Sequence, residues 1–200
     1  MGRPLPADLT PAEILSDAID AAAHEGPAVV VGIDGPGGSG KSTLARELAL
    51  LRDDVAIIPG DDFYRPLPER TRESLTPIEA VDLTFDWERL RDEALAPLLR
   101  GEPARYRRYD WAAGRLGEDV SEVAAEGVVV VEGVYVARPA LRGYLDLIAV
   151  VEAPRELCLE RQRARGENEP AEIERWRAAE DWYLEHQSPR RVADVVVEGA

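Results

Sequence analysis

The chain has 200 residues, 45% hydrophobic and 32% charged, with a formal net charge of −15. That length fits one domain, 1–200, and buries a core without disulfide or metal staples. So acidic a surface repels nucleic acid and anionic membranes, so neither is expected as a partner, and any anionic ligand would need positive charge gathered locally.

Cys158 is the only cysteine, which excludes an intramolecular disulfide and fits a reducing compartment. The first residues carry no apolar run of the signal-peptide kind, and no stretch approaches the length of a membrane span. The expected location is cytoplasmic. Of the 24 basic residues, Lys41 is the single lysine and the other 23 are arginines.

In chain order, Thr10-Pro11-Ala12-Glu13 is a capping box with proline at the first helical position. It predicts a helix to about His24, with Ile14, Leu15, Ala18, Ile19 and Ala22 at helical spacing. Residues 28–33 form a continuous β-branched run, read as a buried parallel strand. A glycine-rich turn follows, then a helix over 41–51 with Leu44, Leu48 and Leu51 on one face. Residues 55–58 are a second buried strand, with Asp61-Asp62-Phe63-Tyr64 at its exit.

Residues 65–84 are rich in Arg, Pro, Glu and Thr without clear periodicity, and read as a long loop or lid segment. A helix is expected over 85–99, and over 101–117 a polar, aromatic, arginine-rich insertion that a small hairpin would fit. Two further buried strands are expected at 128–133 and 145–151, helices at 154–165 and 170–187, and a last strand at 193–197. Buried strands alternating with helices mean an α/β fold, a parallel sheet with helices on both faces.

Gly35-Pro36-Gly37-Gly38-Ser39-Gly40-Lys41-Ser42 fits the G-x-x-x-x-G-K-[ST] phosphate loop, following a predicted strand and opening a predicted helix. Glycines let backbone N–H groups turn inward around phosphate oxygens, and the helix points its positive end at them. Gly35, Gly37, Gly38, Ser39, Gly40, Lys41, Ser42 and Thr43 are therefore the candidate nucleotide-binding residues. Lys41 reaches the phosphates and Ser42 offers a hydroxyl to Mg²⁺. ATP and Mg²⁺ are the expected cofactors, and the fold is a three-layer P-loop NTPase fold. A lid is expected near 154–170, with the insertion at 101–117 on the substrate side.

In such sheets ligands sit at the carboxyl ends of the strands, where Asp61, Asp62 and Glu132 fall. Phosphoryl transfer needs a base for the acceptor hydroxyl and carboxylate help for the metal. Asp61 is the candidate base, and Ser42, Asp61 and Glu132 are the candidate metal partners. Glu132 alternatively contacts substrate hydroxyls or hydrogen-bonds backbone amides, and Asp62 alternatively caps a turn.

Arg155, Arg161, Arg163 and Arg165 crowd one helix, with Arg161 and Arg165 on a shared face. Both are candidates for stabilising charge on the transferring phosphoryl group, against the plainer reading of a solvated face paired with Glu156 and Glu160. Tyr106, Tyr109 and Trp111 lie among Arg105, Arg107, Arg108 and Arg115, a pattern suited either to stacking on a flat substrate or to a small core under a hairpin.

Together these segments resemble the uridine kinase and phosphoribulokinase family of P-loop kinases. The resemblance runs from about Val29 to Val197. It rests on residues 32–43, Asp-Asp-Phe-Tyr at 61–64, Phe-Asp-Trp-Glu-Arg-Leu at 85–90 and Tyr-Asp-Trp at 109–111. Glu-Gly-Val-Tyr at 132–135, the arginines 161 and 165, and Ala-Asp-Val-Val-Val at 193–197 complete it. The resemblance implies a small-molecule kinase that phosphorylates a hydroxyl-bearing acceptor, with Asp61 as catalytic base and Tyr64 in the substrate pocket. It also implies Asp82 or Asp86 on ribose hydroxyls, Tyr109 and Trp111 on a pyrimidine, Arg161 and Arg165 in the lid, and a homo-oligomer. It departs at Gly114, where uridine kinases carry a base-reading histidine.

Two acceptor classes stay open: a uridine- or cytidine-like nucleoside, and another acceptor such as a sugar phosphate, pantothenate or an unusual nucleoside. Arg65, Arg70 and Arg72, or Arg105 to Arg108, are the candidates for binding an acceptor phosphate. A GTPase-like switch conflicts with the sequence: Asn168 is the only asparagine and Lys41 the only lysine, so no guanine-reading N-K-x-D segment exists. A non-catalytic nucleotide-binding regulator would leave Asp61 without a task.

Overall fold

A computed structural model of the chain describes residues 9–22, 24, 26–166 and 169–199. Five parallel strands form the central sheet: β1 (Ala28–Asp34), β2 (Val55–Pro59), β5 (Gly127–Glu132), β6 (Leu147–Glu152) and β7 (Val195–Glu198), ordered β2-β5-β1-β6-β7. Side chains alternate across each strand. Val29, Val31 and Ile33 of β1 therefore enter one core with Leu15 and Ile19 of α1 (Pro11–Ala21) and Leu44 and Leu48 of α2 (Lys41–Leu51). Val30 enters the other core, with Phe63, Phe85, Leu95, Val129 and Tyr183. Apolar side chains facing both ways explain why the strands read as unbroken hydrophobic runs. No described helix is long and apolar enough to cross a membrane.

The capping box of α1 is present, with Glu13 N–H bonded to Thr10 Oγ1 and Glu13 Oε2 accepting from Thr10 N–H. The helix ends at Ala21 rather than near His24. Ala22 turns extended (ψ 131°) while its N–H still reaches Ile19 O. Residue 23 of that expected helix lies outside the described residues.

Residues 65–84 are not a loop. They contain α3 (Glu69–Ser74) and α4 (Pro77–Leu83). A second capping box, Thr76 with Glu79 and proline at the first helical position, starts α4, and Val81 is its buried anchor. With one buried residue in seven, α4 shows too little apolar periodicity to be recognised from it.

The helix expected over 85–99 starts two residues later. Phe85 bridges Tyr64 instead, and α5 (Trp87–Leu90) passes through a π-helical turn (Arg91–Leu95) into α6 (Ala96–Leu99). Pro97 explains the wider turn, because it has no N–H for the preceding turn and its ring crowds that turn's carbonyl. The 101–117 insertion is a hairpin, longer than expected, of β3 (Ala104–Asp110) and β4 (Arg115–Val123), with a bulge between Arg107 and Tyr109. Helices α7 (Arg155–Arg165) and α8 (Pro170–His186) follow β6. Residues 167 and 168 of the expected lid lie outside the described residues.

Candidate active site

β1, β2 and β5 all end on one side of the sheet, and the candidate residues collect there. All eight residues expected to hold a nucleotide lie between β1 and the first turn of α2. Gly35 (φ 144°) passes so close to β6 that a Cβ would sit 2.3 Å from Val151 O. Gly38 (φ 81°) runs against α7, where a Cβ would meet Cys158 O at 2.5 Å. Larger residues at either position would open the loop.

Lys41 is 7% exposed, and its Nζ donates to Pro36 O at 2.9 Å, folding the side chain over its own loop. Helix α2 has no acidic residue in its first turn, so its positive end stays uncompensated there. Ser39 Oγ is buried without a hydrogen-bond partner among the described residues. The uncompensated helix end, a buried ammonium and an orphaned hydroxyl match the oxygens of a phosphate chain.

Glu132 ends β5 beside the loop. Burial pushes its carboxyl above the usual range; Lys41, a hydrogen bond with Ser42 and Arg46 pull it down, and Asp61 pushes it further up. Ser42, Lys41, Glu132 and Asp61 are thus one electrostatic group. Among the described residues no three His, Cys, Asp or Glu side chains form a metal cage. A Mg²⁺ ion that keeps several waters needs only one hydroxyl and a carboxylate or two, and Ser42 with Glu132 and Asp61 supply those.

Asp61 and Asp62 form a short 3₁₀ turn (Gly60–Asp62) after β2. Asp61 is exposed, and its carbonyl accepts from Trp111 Nε1 at 3.2 Å. Asp62 turns the other way, under the hairpin. Burial raises its carboxyl, and Arg108, 3.4 Å away, opposes the shift.

Tyr64 is buried and sits inside an aromatic group, with ring centroids 4.8 Å from Trp111, 5.6 Å from Trp176 and 6.4 Å from Tyr109. The hairpin aromatics differ in burial. Tyr106 is core, packed 4.7 Å from Phe63, whereas Trp111 is 47% exposed. Tyr109 is 4% exposed, and its hydroxyl has no partner among the described residues. At Gly114 (φ 63°) a Cβ would have only that hydroxyl nearby, at 4.0 Å. A cavity of about 470 Å³ opens beside the group, lined by Arg72, Trp111, Arg175 and Trp176 among others.

Asp82 and Asp86 are both ion-paired. Asp82 meets the buried Arg138 at 2.9 Å at the end of α4. Asp86 lies between Arg65 (3.3 Å) and Arg89 (3.6 Å), and its N–H bonds to Phe63 O, so it is the one fixed to the 61–64 segment. Arg161 and Arg165 separate: Arg161 donates to Gly38 O at 3.2 Å, while Arg165 is exposed one turn further along. Arg155 pairs with Asp181 at 2.6 Å. Of the arginines considered for an acceptor phosphate, Arg65 is taken by Asp86 and Glu88, Arg105 by Glu122 and Arg108 by Asp62.

Five further residues lie on or beside the phosphate loop. Asp34, fully buried at the end of β1, accepts from Gly35 N–H, Ala137 N–H and the Tyr183 hydroxyl. Burial raises its carboxyl, and those bonds with Lys41 oppose the rise. Gln162 and Glu180 press against Gly37. Trp176, Glu180 and Tyr183 share a helical spacing visible in the sequence, a carboxylate between two aromatics on one face of α8.

Comparison with known proteins agrees with this geometry. No protein-family model matches the chain. The uridine kinase of Clostridium botulinum (strain Kyoto / Type A2) is 31% identical over 149 residues, covering 70% of this chain and 70% of that protein. The uridine kinase of Halobacterium salinarum is 30% identical over 194 residues, covering 87% of this chain and 82% of its own. The solved structure of a possible uridine kinase from Bacillus stearothermophilus superposes with a TM-score of 0.73 at 26% identity, covering 94% of this chain and 97% of that one.

Proposed function

The chain belongs to the uridine kinase family, and from that premise we propose that it transfers a phosphoryl group from Mg·ATP to a hydroxyl of a nucleoside. The observation that carries this reading is the meeting of Lys41, Ser42, Glu132 and Asp61 at the carboxyl ends of β1, β2 and β5. Any P-loop protein needs an acid for its metal, but a kinase needs a further one for the acceptor proton, and the exposed Asp61 beside Glu132 supplies it.

The chain's residues divide the work. The N–H groups of Gly38 and of residues 40–43, with the Lys41 ammonium, take the phosphate oxygens and offset their charge, while the Gly37 N–H stays on Glu180 and the Ser39 N–H on Pro36 O. Ser42, with Glu132 and Asp61, would hold Mg²⁺, which when bound would draw charge off the phosphates. Asp61, exposed and adjoining the aromatic group, accepts the proton of the attacking hydroxyl. Arg161, already on the loop, and Arg165, one turn away on the same helix, add positive charge as α7 closes and exclude water. Tyr64, Tyr109 and Trp111 form the wall on which the acceptor's flat portion stacks, with Asp86, bonded to the 61–64 segment through its N–H, as the candidate for its hydroxyls.

A second reading keeps the chemistry and changes the acceptor. It rests on Gly114, which leaves the Tyr109 hydroxyl buried and unpaired. Such a pocket suits an acceptor that brings its own partner for that hydroxyl. ADP release with Mg·ATP, measured against uridine, cytidine, other nucleosides, pantothenate and sugar phosphates, decides between the two. Turnover with a pyrimidine nucleoside supports the first reading. Activity confined to other acceptors replaces it with the second, and no ATP-dependent turnover on any acceptor would sink both.

A further inference from the structure

Along α8, Trp176, Glu180 and Tyr183 fall at i, i+4 and i+7 and so point the same way. Trp176 meets Tyr64, Glu180 Oε2 accepts the Gly37 N–H at 3.0 Å, and the Tyr183 hydroxyl donates to Asp34 Oδ2 at 2.6 Å. Glu180 is the anomaly among them. It is 8% exposed, and among the described residues no lysine or arginine lies within 4 Å of its carboxylate. A buried carboxylate without an ion-pair partner is costly.

This one is packed on the phosphate loop itself. A Cβ on Gly37 would lie 2.3 Å from Gln162 Nε2 and 2.8 Å from Glu180 Oε1. The groups facing it are Lys41 from α2, Cys158 from α7, Tyr64 and Tyr135 from the loops after β2 and β5, and Arg177 and Asp181 from α8. Burial pushes the carboxyl up, with Lys41 and the Gly37 N–H pulling against that shift.

We propose that Glu180 is a proton-linked positioning residue of the phosphate loop: it holds Gly37 when no nucleotide is bound and takes up a proton from solvent when phosphates enter. This rests on the loop taking a nucleotide. A carboxylate and a phosphate chain would share one cradle and one lysine. Two like charges a few ångströms apart, at an effective dielectric of about 20, weaken binding by about tenfold or more. A proton on Glu180 removes that repulsion. It also turns one carboxyl oxygen from acceptor to donor, while the other still accepts from Gly37 N–H. Nucleotide affinity then falls as pH rises, because the proton taken up becomes scarcer.

The test is calorimetric titration of the intact chain with Mg·ADP at about pH 7 to 8, in two buffers of different ionisation enthalpy. Wild type should show net proton uptake, up to about one per nucleotide, and weaken with rising pH. Glu180→Gln keeps an oxygen for Gly37 and loses the charge. It should bind Mg·ADP about tenfold more tightly at about pH 8, with a flat pH dependence and no uptake. Wild-type affinity and uptake in that variant would overturn the proposal. So would buffer-independent heats in the wild type, a measurement that stands even if the variant does not fold. Binding without uptake sinks the role of Glu180 alone. No binding at all sinks the phosphate-loop reading with it.

Discussion

Trp111 donates its indole N–H to the Asp61 carbonyl at 3.2 Å, so the exposed wall of the aromatic group is tied to the backbone of the proposed base. A residue reached through the hairpin therefore shares a hydrogen bond with the strand-end turn that carries the chemistry. Trp111→Ala should raise KM for the acceptor about tenfold and leave KM for ATP nearly unchanged, because only the acceptor side loses its stacking surface. Steady-state kinetics with each substrate varied in turn would show it; equal rises in both constants would place Trp111 outside the acceptor pocket.

Asp61→Asn should lower kcat by about 10²–10⁴-fold, since the amide cannot take the hydroxyl proton, while nucleotide binding persists. Single-turnover rates with nucleotide affinity measured in parallel provide the check. Near-normal turnover would remove Asp61 as base and return attention to Glu132. Lys41→Ala should cost about 10²–10³-fold in kcat with an unchanged circular dichroism spectrum.

The two lid arginines should behave differently. Arg161→Ala frees the Gly38 carbonyl and should weaken nucleotide binding by about three- to tenfold. Arg165 makes no hydrogen bond to the phosphate loop among the described residues, and Arg165→Ala should lower kcat more than it raises KM. Identical kinetic profiles for the two variants would contradict the division.

Stability should depend on pH in an unusual direction. Asp34, Asp62, Glu132 and Glu180 all have carboxyls raised by burial above the ordinary 3.8 for Asp and 4.5 for Glu. Their folded values exceed their unfolded ones, so the stability they contribute is fully present below about pH 4 and is lost as pH rises through the folded values. Each tenfold change in proton affinity is worth about 1.4 kcal/mol. The surface carboxyls of Asp54, Asp92 and Glu102, held low by neighbouring arginines, oppose this only below their ordinary range. The ligand-free unfolding midpoint should climb as pH is lowered from about 8 toward 5. A flat or falling profile over that window would show that these carboxyls do not control stability.

Tyr183→Phe removes one of three donors to Asp34 and should cost about 1–3 kcal/mol, or about 2–4 °C in Tm for each kcal/mol. The loss should be larger at about pH 8 than at about pH 5, since the hydroxyl favours the charged form of Asp34. Thermal melts at both values test the sign.

The strands were legible because burial on both faces writes itself as runs such as 128–131, and the phosphate loop because its glycines are imposed by contacts with β6 and α7. Helix α4 was missed although Thr76-Pro77-Ile78-Glu79 repeats the pattern that marked α1. Its single buried side chain left the capping signal unsupported. Asp61 and Glu132 are candidates from their places at strand ends, and Tyr64 only through the family resemblance. Glu180 and Tyr183 are not, because a buried charge on a long polar helix has the same sequence appearance as a solvated one until the sheet is placed against it.

Concentrating all the side-chain amine of 200 residues in Lys41 has a chemical consequence. An acylating reagent has one ε-amino target in this chain, largely covered and folded back on Pro36. Its labelling rate, read at Lys41 itself, becomes a measure of loop opening and occupancy. A protease that cleaves only after lysine can cut the chain at one point, inside the phosphate loop, so the rate of that single nick measures how often the loop and the first turn of α2 unravel together.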